Sequence, residues 1–445
     1  MEITINTIAL LSYMFYAYSL LRCKEISLNM TTGVFLCISL FYGPHTVMFE
    51  QFYRESSLSV LDEKVGMHYA ALMILTYIVF GAVNFSTNHK LLTVGSWQGA
   101  FKKKSGGGIA NLIVLIVSAL FIAISILLQS GWTITAEHLK YLIGLSDYSY
   151  NEIRRELYDG SVWGKYAAQI RFSIIPILYG YMLTLSMLEK SRYRVFYILI
   201  AISLPIITSI QLNKFFYIYY LFLTASILYM CLSKKSLVFN VSIKNLKFYA
   251  GSFFVFGVVI IMLYLMQYSS ALSGGSLSLA QMIDTIIYRA FFASADALRL
   301  WIDYFYYQYH PAGLQSVGKV CELFFDECVN VNTLIPYHYA EAINTSMQSG
   351  FLGSIYSVWG VFSGPLIITF VALMTVANNF LLSKVNYSLL GLVAAPVMFM
   401  SAYFITTSEL NTAILSGGGV FNAVCIYILH LFINKEKSDE IDSIS

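Results

Sequence analysis

HYAEAINTSMQSGFLG, residues His338 to Gly353, is where a long polar loop of about residues 269–350 runs into the apolar segment 351–382. The loop is framed by membrane-like sequence. Of the 445 residues, 58% are hydrophobic and only 11% charged, with a mean hydropathy of +0.68. Soluble domains carry roughly 25% charged residues, so a soluble globule is excluded. Apolar runs of about 20 residues, the length a helix needs to cross hydrocarbon, recur along the chain, and no series of alternating strands suggests a barrel. The expected fold class is an all-α polytopic membrane protein forming a single integral membrane domain over residues 1–445. The first run, Ile3 to Leu21, lacks a basic n-region and a small-residue cleavage site, and reads as a retained span.

Working outward from the quoted stretch, spans fall at about 3–21, 30–49, 67–85, 109–128, 170–188, 195–211, 215–232, 248–268, 351–382, 387–405 and 414–433, eleven in all. Basic connectors then fall on alternate sides, as the positive-inside rule requires: Arg22 and Lys24, Lys102 to Lys104, Lys190 to Arg194, Lys234 to Lys247, Lys384, and Lys435 with Lys437. The other side receives the N-terminus, the loops of about 50–66, 129–169 and 269–350, the short turn at 211–214 and about 406–413. It carries roughly 18 of the 24 acids and roughly 11 of the 27 bases. Residues 434–445 read as a solvated cytoplasmic tail with a frayed end. The glycine runs in Phe101 to Ile109 and Ser416 to Val420 lack the Gly-Lys-Ser/Thr order of a phosphate loop, and read as a linker and a close helix contact.

Charges near span mouths are costly, and local pairing sorts them. Arg155 has Glu152 and Asp159, and Arg299 has Asp296 and Asp303, at helix-neighbour offsets, so both read as structural. Arg154, Arg171, Lys214 and Arg289 have no acid three or four residues away. From four parts of the chain they fall on the loop side, where convergence would make an anion site, guanidinium groups matching phosphate oxygens as a fork. The bland alternative is four snorkelling anchors. His338, Glu341, Thr345 and Gln348 would share one stripe on a helix begun near Pro336, and His338 or Glu341 could take a proton from a sugar hydroxyl; alternatively the stripe faces water. His45, His68 and His310 carry little weight.

Cys321 and Cys328 are the only cysteines in the loops on that side. Seven residues of straight helix would hold their Cα atoms about 10 Å apart, beyond disulfide reach. A bridge therefore needs a turn between them, and two free thiols are the alternative. No CxxC pair or acidic doublet marks a metal site.

The layout resembles the O-antigen polymerases of the Wzy-dependent pathway, oligosaccharide repeat-unit polymerases of bacterial inner membranes, and the wider group that includes O-antigen ligases. The likeness rests on the eleven spans, the two arginine-bearing loops, the basic turn QLNKFF (Gln211 to Phe216) and NTSMQSGFLGSIYSVWG (Asn344 to Gly360). Ligases carry a histidine about eleven residues before a Gly-x-x-Gly pair; here His338 precedes Gly350 and Gly353 by twelve and fifteen, and Tyr339 replaces the amide that follows it. The resemblance implies a GT-C-like fold with a large helical periplasmic loop before a late span. It implies a glycosyltransferase without metal or cofactor that moves a growing glycan from undecaprenyl pyrophosphate onto a lipid-linked repeat unit. Membrane lipid and a chain-length regulator are the implied partners, and nucleic acid is not among them. An O-antigen ligase and a lipid-linked oligosaccharide flippase are the alternatives; the long loop and the scarcity of mid-span charge weigh against the flippase.

Overall fold

A computed structural model describes residues 2–22, 25–48, 63–86, 108–128, 170–188, 192–209, 214–233, 238–240, 278–308, 311–316, 324–340, 349–360, 364–385, 388–409 and 418–442, together with isolated positions such as Lys140, Leu145, Cys321, Ala413 and several between 251 and 265. The described chain is helical apart from one two-stranded pairing. Its helices are α1 (Glu2–Leu21), α2 (Met30–Phe41), α3 (Gly43–Met48), α4 (Glu63–Ser86), α5 (Gly108–Leu128), α6 (Ile175–Leu188), α7 (Arg194–Ser209), α8 (Lys214–Ser233), α9 (Leu279–Phe291), α10 (Ala293–Ile302), α11 (Val331–Ala340), α12 (Gly350–Trp359), α13 (Gly364–Val385), α14 (Leu389–Thr407) and α15 (Gly419–Asp442). By length and composition, four stretches of these helices can cross a membrane among the described residues: Thr4–Leu21, Lys64–Ser86, Gly364–Val385 and Leu389–Thr407. Six further apolar helices are shorter. The protein is thus a helical membrane protein.

The bundle is built around α14. Its apolar window is 78% buried, against 22% for that of α1, so α14 is the axis and α1 a peripheral helix. Small residues let neighbours close on it. A Cβ added at Gly33 of α2 would lie 2.7 Å from the Cβ of Ala402, and one at Gly180 of α6 would lie 2.6 Å from Val393. Both distances are too short for a side chain, the signature of backbones in close approach within a membrane. Several hydroxyls inside the bundle bond back to their own helices, as Thr184 does to Gly180 and Ser118 to Val114, which satisfies their protons in the apolar interior.

The two ends of the bundle differ. At one end β1 (Glu25–Ser27) pairs antiparallel with β2 (Val238–Asn240), Ile26 facing Phe239. The Arg194 side chain also lies at this end and donates from Nε to the Ser186 carbonyl at 2.8 Å. All of these lie in or beside basic connectors. At the opposite end the close of α2, the opening of α12 and the close of α14 meet. There the Tyr42 hydroxyl lies 3.0 Å from the Ser349 carbonyl and 3.1 Å from that of Thr406, one proton shared between two acceptors. Gly350, at φ +68°, presses so closely on the Thr406 carbonyl that no Cβ fits.

Four expectations need correction. The apolar segment 351–382 is two helices, α12 and α13, because Gly360 adopts φ +63° and ends the first. The run 30–49 likewise breaks at Tyr42, with α3 restarting at Gly43. The tail does not fray at residue 434: α15 continues to Asp442, no Gly or Pro interrupting it. Finally, the polar stretch 269–350 contains a helix of the core. Seven of the ten residues of α10 are buried, including Leu298, Leu300, Trp301 and Ile302. Its neighbour α9 remains largely exposed and opens with a capping box, in which Ser278 and Gln281 satisfy one another's backbone N–H groups. The loop 129–169, apart from Lys140 and Leu145, and most of the span 248–268 lie outside the described residues.

Candidate functional site

The loop-bearing end carries two ionisable lobes flanking the Tyr42 hub. In the first, a π turn over Ile170–Ile174 leads into α6 and includes Arg171. Its Phe172 ring stacks on Phe216 of α8 at 4.6 Å and meets Phe404 of α14 edge-on at 5.0 Å. Arg171 precedes Phe172 by one residue, and Lys214 opens α8 two residues before Phe216. These rings therefore draw together the backbone positions of two cations that lie 43 residues apart. Glu409 follows Phe404 by five residues, just beyond the end of α14, half-buried, and burial pushes its carboxyl up to about 7. A π turn departs from α-helical geometry at some cost and is frequent at functional positions.

The second lobe is organised by α10. Asp296 is only 4% exposed. Its Oδ2 accepts from the Tyr288 hydroxyl at 2.7 Å, and its Oδ1 is buried with no hydrogen-bond partner among the described residues. Burial raises the Asp296 carboxyl to about 7, the nearby Arg299 guanidinium pulling the other way. The same guanidinium acts electrostatically on His45 of α3 and Tyr69 of α4, whose rings meet edge-on at 4.9 Å. Gly66 of α4 lies alongside it, an added Cβ standing at an ordinary contact distance of 3.8 Å from an Arg299 terminal nitrogen. Five ionisable side chains from four helices thus gather where a carboxylate is held near neutrality between its two protonation states.

The residues selected from sequence fare unequally. Arg171 and Lys214 lie on backbone stretches that the Phe172–Phe216 contact brings together. Arg289 is exposed on α9 beside Tyr288, in the other lobe. Arg154 and Glu341 lie outside the described residues, as do Thr345 and Gln348. The helix expected to begin near Pro336 starts earlier, at Val331, and carries Pro336 internally. On it His338 is exposed and meets the rings of Tyr304 at 5.1 Å and Tyr339 at 4.8 Å, while the Tyr339 hydroxyl donates to Asp303. Cys321 and Cys328 are bonded, with Cα atoms 5.7 Å apart across the turn a bridge requires. Among the described residues no group of three His, Cys, Asp or Glu could hold a metal ion.

No protein-family model, curated protein or solved structure matches the chain.

Sequence reasoning passed over Asp296 and Glu409. For Asp296 the misleading signal was Arg299 three residues on, which invited a local ion pair. The better signal was Asp296 lying between Ala295 and Ala297 on a helix whose other residues are mostly apolar. Glu409 stands directly beyond the most buried helix, where a carboxylate cannot be fully hydrated.

Proposed function

We propose that the protein is an O-antigen polymerase, a glycosyltransferase of the bacterial inner membrane. It moves a growing glycan from undecaprenyl pyrophosphate onto a new lipid-linked repeat unit at the periplasmic face. The observation that supports this reading is the Phe172–Phe216 ring contact at the loop-bearing end, which brings the backbone positions of Arg171 and Lys214 near one another. Two cations at a water-membrane boundary suit a pyrophosphate whose lipid tail stays in the bilayer. The leaving pyrophosphate needs no proton, so the barrier lies in stabilising its charge and in deprotonating the attacking hydroxyl. Arg171, Lys214 and Arg289 supply the first; a carboxylate or His338 of the same end supplies the second. In this reading the short apolar helices and the span 248–268 complete eleven crossings of a GT-C-like bundle. The large helical loop stands in the periplasm, and a chain-length regulator limits the product.

The test is reconstitution with lipid-linked repeat units. Wild-type protein lengthens the glycan, and Arg171→Ala and Lys214→Ala each lower the rate at least tenfold with unchanged expression. Full activity in both variants removes the cationic pair from the site. Transfer onto lipid A core in place of elongation would instead identify a ligase, and flipping without elongation a transporter.

A further inference from the structure

The second lobe contains a hydrogen-bonded pair that joins the surface to the interior. Tyr288 is 41% exposed, neighbours the exposed Arg289, and gives its hydroxyl proton to the nearly inaccessible Asp296. The other Asp296 oxygen is buried with its acceptor capacity unused among the described residues. A buried carboxylate with one idle oxygen costs free energy, and such a cost is tolerated where the group handles protons.

We propose that Tyr288 and Asp296 form the proton relay of the transfer reaction, Tyr288 touching the acceptor sugar and Asp296 receiving the proton behind it. The relay presupposes the glycan transfer proposed above. As the acceptor oxygen bonds to the anomeric carbon of the donor, the bond from that carbon to the pyrophosphate breaks and its electron pair leaves with the phosphate. The acceptor hydroxyl gives its proton to the Tyr288 oxygen while Tyr288 gives its own to Asp296 Oδ2. No net charge is left on the tyrosine. Arg289, the next residue of α9, is exposed on the same helix and in this proposal is the cation offered to the phosphate. Arg299 keeps the ionised form of Asp296 within reach despite burial. The ionisable groups on the elements packed against α10 include Asp284 of α9, His45 of α3, Lys64, His68, Tyr69 and Tyr77 of α4, Cys37 of α2 with Tyr42 at its end, Tyr356 of α12, and Asp303, Tyr304 and Tyr306 directly after α10. Of these, His45 and Tyr69 share the field of Arg299.

The relay requires Asp296 to be ionised before each turnover, so the elongation rate rises with pH through the range in which this carboxyl, raised to about 7, loses its proton. In protein reconstituted into bilayer discs with lipid-linked repeat units, Asp296→Asn is expected to lower kcat about 100-fold or more, to abolish that acidic limb and to leave the KM for the donor within about twofold. Tyr288→Phe, which keeps the ring packing, lowers kcat similarly, and Asp296→Glu restores a shifted limb. Elongation by Asp296→Asn at the wild-type rate with the limb intact overturns the relay and leaves the polymerase reading standing. If wild-type protein elongates nothing, that reading falls, and the relay is judged by infrared titration of isotope-labelled Asp carboxyls. A band titrating near neutrality, absent in Asp296→Asn and moved by Tyr288→Phe, sustains the pair as a proton site. Titration near the ordinary carboxylate value overturns it.

Discussion

At Gly350 the chain turns left-handed, at φ +68°, with the Thr406 carbonyl where a side chain would stand. Gly350→Ala is expected to cost about 1–3 kcal/mol for the backbone conformation alone, and more once the overlap with Thr406 is relieved. A fall in thermal midpoint in detergent, together with loss of the Tyr42 clamp, checks this; an unchanged midpoint would show that the hub gives way. Asp296 makes a prediction of opposite character. Its folded carboxyl titrates near 7 against an ordinary value near 4, so the folded state binds the extra proton between those values. Stability from this group is greatest below the unfolded value and declines as pH rises through the folded one, by at most about 1.4 kcal/mol per pH unit. Glu409 adds a slope of the same sign. Denaturation curves at pH 4.5 and 7.5 should therefore converge in the Asp296→Asn, Glu409→Gln double variant. Neither carboxylate was legible as a site before folding, because spacing along a helix reports which charges can meet locally and says nothing of what covers them. Arg171 and Lys214 stand out in the sequence for the complementary reason: the absence of any local acid is a fact of sequence.

Among the elements, α10 departs furthest from its reading. Composition places it in a polar loop, yet seven of its residues line the interior. The average over a long window conceals a ten-residue stripe of Leu298, Leu300, Trp301 and Ile302. The break between α12 and α13 was hidden differently, since Phe351 to Leu382 is apolar throughout and only the backbone of Gly360 interrupts it. The Cys321 to Cys328 bridge closes a loop of about eight residues. On loop entropy it contributes about 2.5 kcal/mol to the folded state. A reductant, or Cys328→Ser, should lower the midpoint of the segment around α11 and leave the bundle helices nearly unmoved, as local hydrogen exchange would resolve. Equal loosening of α14 would mean the bridge supports the whole fold.

For the molecule as a whole, hydropathy and the distribution of lysine and arginine carried the architecture. They point to a helical membrane class, and the pairing of residues 25–27 with 238–240 puts two connectors assigned to one side into contact. Crossing number is harder to read, because several described helices fall short of a full span. Sidedness is open to direct measurement. In a cysteine-free background, Asn330→Cys should react with a membrane-impermeant maleimide in intact cells, and Arg192→Cys only after permeabilisation. Labelling of both from outside would undo the assignment.

The Tyr42 clamp also constrains the birth of the protein. Its two acceptors lie 307 and 364 residues downstream, so a ribosome must release most of the chain before that hydroxyl can find either. Until α14 arrives, the early helices wait in the bilayer with their docking grooves open. Chains truncated before residue 389 should accordingly insert but be cleared by quality-control proteases, and maturation should be governed by the last third of translation.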